Sequence, residues 1–315
     1  MAFDTLLGND RLKQNLAESL AKNHISHFYL ISGPKGSGKK TLATLLAQAI
    51  LCRGSRKPCG TCEPCRKIAN SNHPDFITVE DPEHKNVAVK IVRQFREDVF
   101  IRPNESDYKI YLFPQDLGVE GQNALLKILE EPPKYGIFLL LTDNPEKILP
   151  TVRSRCTELK LQALPRQTLV TYLSARFPDT AREDLEAASD RSGGFLGQAL
   201  ELLESGGAVP PQTESFVKAL CAADPMLLAE TLAPMEKWKR DALSEILQSW
   251  LELTEEALAG RSGGSMLSPL ARTLSRHRTA PELYETARTL RKAADYTMSN
   301  VSPAAVCGWL MWALR

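Results

Sequence analysis

The spacing of apolar positions changes near residue 160. Before that point, short continuous apolar runs alternate with segments of helical spacing. Phe28–Ile31, Phe76–Val79, Ile110–Phe113 and Ile137–Thr142 read as strands. Thr41–Leu51, Val87–Val99 and Val119–Leu129 read as helices. Strand and helix in alternation predict a parallel sheet covered on both faces. From Leu164 onward nearly everything is helical. Leu169–Phe177, Ala181–Ala188 and Gly197–Leu203 read as short helices, and longer ones are expected at roughly 213–222, 225–258, 267–276 and 280–297. Breaks are expected at Ser205-Gly-Gly-Ala-Val-Pro-Pro211 and at Gly260-Arg-Ser-Gly-Gly264. Ser302-Pro303 supplies an N-cap and a first-turn proline for a last helix reaching Leu314. The four tryptophans at 238, 250, 309 and 312 are expected in the core of this all-α part.

At 315 residues, two or three domains are expected, with ample chain for a core without disulfides. Lys plus Arg number 39 and Asp plus Glu 38, a net charge of +1. That balance excludes a strongly basic nucleic-acid coat and an acidic tail. The longest apolar stretches, Ile137–Leu141 and Ala304–Leu314, fall short of the roughly 18 residues of a membrane span. The N-terminal residues carry Asp4, Asp10 and Glu18 and no apolar signal core. The expectation is a soluble, cytoplasmic protein with no membrane partner.

Gly33-Pro-Lys-Gly-Ser-Gly-Lys39 lies between a strand and a helix. There, Gly33, Gly36 and Gly38 would let backbone N–H groups face a phosphate, and Lys39 would reach its oxygens. The Ser or Thr that should follow the lysine to hold Mg²⁺ is replaced by Lys40. Thr41 comes one residue later, rotated by about 100° around the helix. The strand Lys109–Phe113 is followed by Pro114 and Gln115 where an acidic pair would be expected, and Asp116 lies beyond. Two independent defects argue against Mg²⁺ and against ATP hydrolysis, and leave binding of ATP or ADP at the loop open.

Cys52, Cys59, Cys62 and Cys65 place four thiols within fourteen residues, with Gly60 and Pro64 permitting a tight knuckle. Four sulfurs close a tetrahedral shell, so the expected ligand is a structural Zn²⁺. His73 is a nearby competing ligand of little weight. Cys156, Cys221 and Cys307 are isolated and expected to be small buried side chains.

Several runs carry a resemblance. They are His27-Phe-Tyr-Leu30 before the phosphate loop, the four-cysteine insertion, His73-Pro-Asp75 and Gln122-Asn-Ala-Leu-Leu-Lys-Ile-Leu-Glu-Glu-Pro-Pro133. Thr151-Val-Arg-Ser-Arg-Cys156 completes the set, with Gly193-Gly-Phe-Leu-Gly-Gln-Ala-Leu200 in weaker support. With them the chain resembles the delta-prime subunits of the bacterial DNA polymerase III clamp loader, within the AAA+ proteins. The resemblance implies an AAA+ P-loop module over 1–162 with a zinc insertion at 52–65, a helical lid over 163–207 and a helical collar over 208–315. It implies a non-hydrolysing subunit that helps load the sliding clamp onto primed DNA. Its partners would be gamma/tau-like ATPases, a delta-like subunit, the clamp and primer-template DNA. Arg155 would be an arginine finger acting in trans, and Thr142 would stand at the sensor-1 position. Gly197, with Gln198 beside it, stands where related motor subunits carry a nucleotide-sensing arginine. The alternative is an ATP-hydrolysing gamma/tau-like motor subunit of the same machine. Glu130 and Glu131, at a helix end fixed by two prolines, are expected to make subunit or backbone contacts rather than to catalyse.

Overall fold

The computed structural model of the chain describes residues 3, 5–84, 86–204, 210–261, 268–299 and 301–314. Most of the expected 205–211 linker, the expected break beyond Arg261, and Asn300 lie outside the described residues. The chain divides into two compact units, Met1–Glu204 and Ser205–Arg315.

In the first unit α1 (Asp10–Ala21) precedes β1 (Phe28–Ser32), α2 (Lys39–Leu51) and α3 (Glu63–Ala69). Then follow β2 (Phe76–Thr78), α4 (Val89–Asp98), β3 (Lys109–Phe113), α5 (Val119–Glu130) and β4 (Gly136–Thr142). The short α6 (Pro150–Arg153) leads to β5 (Thr157–Lys160). Among the described residues the five strands form one parallel sheet in the order β2-β3-β4-β1-β5. β1, β3 and β4 are buried throughout, as strands covered on both faces must be. The two-residue alternation sorts their side chains into two cores. Tyr29, Ile31, Ile110, Leu112, Leu139 and Leu141 pack with α2. Phe28, Leu30, Tyr111, Phe113, Phe138 and Leu140 pack with α4 and α5. In the second core Phe28 stacks on Phe138 at 4.3 Å between ring centroids, and Phe95 of α4 meets Tyr111 edge-on at 4.8 Å.

The parallel α/β module expected from the sequence is thus present. The strand and helix assignments up to residue 142 hold to within two residues. The reading passes over α1, α3, α6 and β5. β5 reads Thr-Glu-Leu-Lys and turns only Leu159 inward, as an edge strand does, so no apolar run marks it.

The first unit closes with α7 (Arg166–Arg176), α8 (Arg182–Arg191) and α9 (Leu196–Glu204), which share a small core of Leu169, Leu173, Leu185 and Ala199. The second unit is all helix among its described residues: α10 (Pro211–Ala222), α11 (Pro225–Leu232), α12 (Arg240–Arg261), α13 (Pro269–His277), α14 (Ala280–Met298) and α15 (Pro303–Ala313). The single helix expected over 225–258 is two helices. Pro234 cannot donate to the helical ladder, and a 3-10 turn over Ala233–Lys237 separates α11 from α12. Trp250 is fully buried, stacked on Phe216 at 4.0 Å, and its ring N–H donates to Thr213. Trp238 and Trp309 pack half-buried on the same core. Trp312 departs from the expectation and is 70% exposed, because it lies on the outer face of α15. Ser302 caps that helix by accepting from the Ala305 amide. Cys307 is buried as expected, whereas Cys156 and Cys221 are half-buried.

His73-Pro-Asp75 shows how one motif fixes a loop. The Asp75 carboxylate is fully buried and accepts the backbone amides of Asn104 (2.6 Å), Glu105 (2.9 Å) and Ser106 (3.0 Å). His73 accepts the Asp75 amide at Nδ1. Removing the carboxylate leaves three donors without their acceptor, a cost of about 3 kcal/mol. Asp75→Ala is therefore expected to lower the melting temperature of the first unit by about 6–10 °C. A shift under about 2 °C in a thermal melt would contradict this assignment.

Candidate functional site

Parallel pairing sets the loop after β1 beside the loop after β4. Ser32 lies in register with Thr142, and the Gly33 amide donates to the Thr142 carbonyl at 3.2 Å. Ligands of open parallel sheets bind beyond the carboxyl ends of the strands, and the phosphate loop stands there. A cavity of about 430 Å³ lies over it, lined by Lys35–Thr41 together with Asn9, Asp143 and Gly197. Gly36 and Gly38 take left-handed conformations, φ +76° and +92°, which glycine adopts at least cost.

Lys39 does not reach into open space. Its Nζ donates to the Gly33 carbonyl (2.6 Å), the Pro34 carbonyl (2.9 Å) and Asp143 Oδ1 (2.6 Å). An ammonium has three protons, so its donors are all engaged. Lys40 and Thr41 follow on the exposed side of α2. Lys40 presents a cation where Mg²⁺ would need an oxygen, so the residues present do not fit a Mg²⁺-nucleotide in the usual manner. Asp143 is a site residue that the sequence reading missed. Its only signal was its place directly after Thr142.

The loop also meets α9. The Gly197 amide donates to the Gly36 carbonyl at 2.8 Å, and Gln198 Nε2 donates to the Lys35 carbonyl at 2.9 Å. Lys35 pairs with Glu201 at 3.2 Å. A Cβ on Gly197 would lie 2.6 Å from Gly36 Cα, and one on Gly36 would lie 2.5 Å from the Gln198 nitrogen. Neither position has room for a side chain.

Thr142 ends β4 and donates its hydroxyl to Asp116 Oδ1 at 2.9 Å. The structure brings Thr142 and Asp116 together, with Lys147 3.9 Å from the carboxylate. Arg155 lies just past α6, away from the loop residues in sequence. Its Nη1 donates to the Thr151 carbonyl at 2.8 Å, and its Nη2 is 3.5 Å from Glu130. Both partners of that ion pair are substantially exposed, at 40% and 58%, so the pair contributes under about 1 kcal/mol and is easily released. The neighbouring Arg153 is differently placed. It pairs with Glu158 of β5 at 3.0 Å, and that carboxylate also takes the Ser32 hydroxyl.

The four cysteines converge. Their sulfurs all lie within 4.8 Å of one another, and among the described residues this is the group of three or more His, Cys, Asp or Glu side chains that could hold a metal ion. Cys52 Sγ and Cys62 Sγ are 3.9 Å apart. A tetrahedral zinc with Zn–S of about 2.3 Å requires S···S of about 3.8 Å, so the spacing fits. Amides of Gly54 and Cys62 donate to the Cys52 and Cys59 sulfurs, at 3.3 Å each. Hydrogen bonds from the Cys62 and Thr61 backbone hold the half-buried Cys59 thiol down, to about 5, while burial pushes the Cys52 and Cys65 thiols up. His73 has no part in the group. It is buried between Asp75 and Glu105, with Nε2 3.5 Å from the Glu105 carboxylate. With four sulfurs as ligands the shell is closed, so the group can brace the knuckle after α2 but offers no position for reacting water.

Purified protein is expected to carry about one zinc per chain, and the Cys59→Ser, Cys62→Ser double variant to lose it together with the local fold of residues 52–65. Metal analysis reads the first and hydrogen exchange of the knuckle the second. A wild-type chain that folds this segment with no metal would contradict the assignment.

Comparison with known proteins adds the family. Residues 8–165, half of the chain, match the family model described as DNA polymerase III, delta subunit. The DNA polymerase III subunit tau of Bacillus subtilis is 32% identical over 210 residues, 64% of this chain and 37% of that protein. The gamma/tau subunit of Mycobacterium tuberculosis H37Rv is 32% identical over 227 residues, 70% of this chain and 37% of that protein. The chain thus spans little more than a third of the length of these curated relatives. A solved gamma subunit-related protein of Thermotoga maritima aligns over 96% of this chain and 98% of its own, at 17% identity and a TM-score of 0.44. Among the described residues no helix is long and apolar enough to cross a membrane. On the match over residues 8–165, this chain belongs to the family of DNA polymerase III clamp-loader subunits that the delta-subunit model describes.

Proposed function

We propose that this chain is a delta-prime-like subunit of a DNA polymerase III clamp loader, one that hydrolyses no ATP itself and donates Arg155 to the ATP site of a neighbouring subunit. The observation that carries the reading is the state of Lys39. It is bonded to Gly33, Pro34 and Asp143 and followed by Lys40 where a Mg²⁺ ligand belongs. Thr142, at the sensor-1 position, has its hydroxyl within hydrogen-bond reach of Asp116 Oδ1 and the Asn144 carbonyl. Arg155, by contrast, is exposed and only lightly held. A planar guanidinium of that kind can leave a surface carboxylate and stabilise charge on a phosphoryl group presented by another subunit.

In this reading residues 1–162 form the AAA+ module, 163–207 its lid and 208–315 a collar that assembles with gamma/tau-like ATPases and a delta-like subunit in the cytoplasm. The assembly places the sliding clamp on primer-template DNA. Zn²⁺ at Cys52, Cys59, Cys62 and Cys65 is structural.

A second reading has its own support. The similar curated sequences are gamma/tau subunits at about a third identity. On that reading the chain is itself a motor, and Gly33, Gly36, Gly38, Lys39 and Thr41 hold ATP with an altered Mg²⁺ site.

The test is Arg155→Ala in an otherwise wild-type reconstituted clamp loader. Turnover at the one adjoining site is expected to fall by on the order of 10³-fold, with subunit assembly unchanged by size-exclusion chromatography. Unchanged turnover would remove Arg155 from catalysis.

A further inference from the structure

The phosphate loop lies over a cavity of the first unit, yet its key groups are bonded to this chain. We propose that the loop is an internal clasp. It grips helix α9 and the loop after β4 in place of a nucleoside triphosphate, and it thereby fixes α7–α9 on the sheet. The proposal deepens the non-hydrolysing reading and rests on it.

Three contacts run along the first two turns of α9. The Gly36 carbonyl accepts from the Gly197 amide, the Lys35 carbonyl accepts from Gln198 Nε2, and the Lys35 ammonium donates to the Glu201 carboxylate. They come from residues i, i+1 and i+4 of one helix end, which lie along one side of it. On the other side of the loop, Asp143 supplies the anion for Lys39 that a phosphate would otherwise supply. The steric detail points the same way. The two glycine backbones meet with no room for a Cβ on either. A side chain at 197 would push α9 off the loop, so the clasp requires glycine there. Replacing a helical glycine by alanine ordinarily favours the helix. Here the same change should loosen the module, which separates a clasp from mere helix packing.

A polyphosphate that enters must displace Asp143 from Lys39, and one that wraps the Gly36 turn must also displace α9. Its apparent affinity is lowered by the fraction of molecules with the clasp open.

Hydrogen exchange and binding of inorganic tripolyphosphate on the full chain test this. Gly197→Ala is expected to speed exchange of amides 35–39 and 197–200 at least tenfold, with the Trp250 core unaffected. Wild type is expected to bind tripolyphosphate no tighter than millimolar. Asp143→Asn, which leaves the backbone contact alone, is expected to tighten that binding at least fivefold. Unchanged exchange in Gly197→Ala, or micromolar binding by wild type, overturns the clasp. Unchanged affinity in Asp143→Asn overturns the role of Asp143. None of these outcomes concerns ATP hydrolysis within the assembly, so the clasp can fail while the non-hydrolysing reading stands.

Discussion

Everything at the candidate site depends on the parallel pairing of β1 with β4. That pairing sets Ser32 level with Thr142, so the loops leaving the two strands emerge side by side. One loop carries Lys39 and the other Asp143, and their charges meet at 2.6 Å. β5 pairs on the opposite edge of β1 and brings Glu158 to Ser32 and Arg153. The apolar payload of β1 and β4 drives this arrangement. Phe28, Leu30, Phe138 and Leu140 fill one face, and Tyr29, Ile31, Leu139 and Leu141 the other. Burial on both faces leaves a strand no alternative register that keeps its side chains dry.

The proposed clasp relates the residues around the phosphate loop to one another. Asp143 balances the charge of Lys39, and Lys40 stands where Ser or Thr would hold Mg²⁺. With Gly197 against Gly36, an arginine at that place would have no space. Arg155 lies two residues past α6 and keeps an exposed guanidinium.

Much of this was legible in the sequence, for physical reasons. Doubly buried strands are continuous apolar runs, so β1, β3 and β4 could be read directly. Four cysteines in fourteen residues announced a tetrahedral cluster, and the structure brings all four sulfurs together. β5 was not legible, because an edge strand needs only one inward residue, Leu159. Pro234 was outweighed by apolar spacing on either side, and two helices were read as one. Asp143 could not be found from residue type alone. An exposed aspartate one residue past a strand carries no signal until the register of β1 and β4 is known. Gly197 stands in the sequence where related motor subunits carry an arginine, but its contact with Gly36 spans 161 residues of chain and belongs to the fold.

The most direct test of the account is ATP turnover by the reconstituted clamp loader carrying Lys39→Ala in this chain only. The account predicts turnover close to wild type, since Lys39 serves Gly33, Pro34 and Asp143 rather than a nucleotide. A large loss of turnover would contradict it, and would make this chain a motor whose Mg²⁺ ligand must be sought at Thr41 or Asp116.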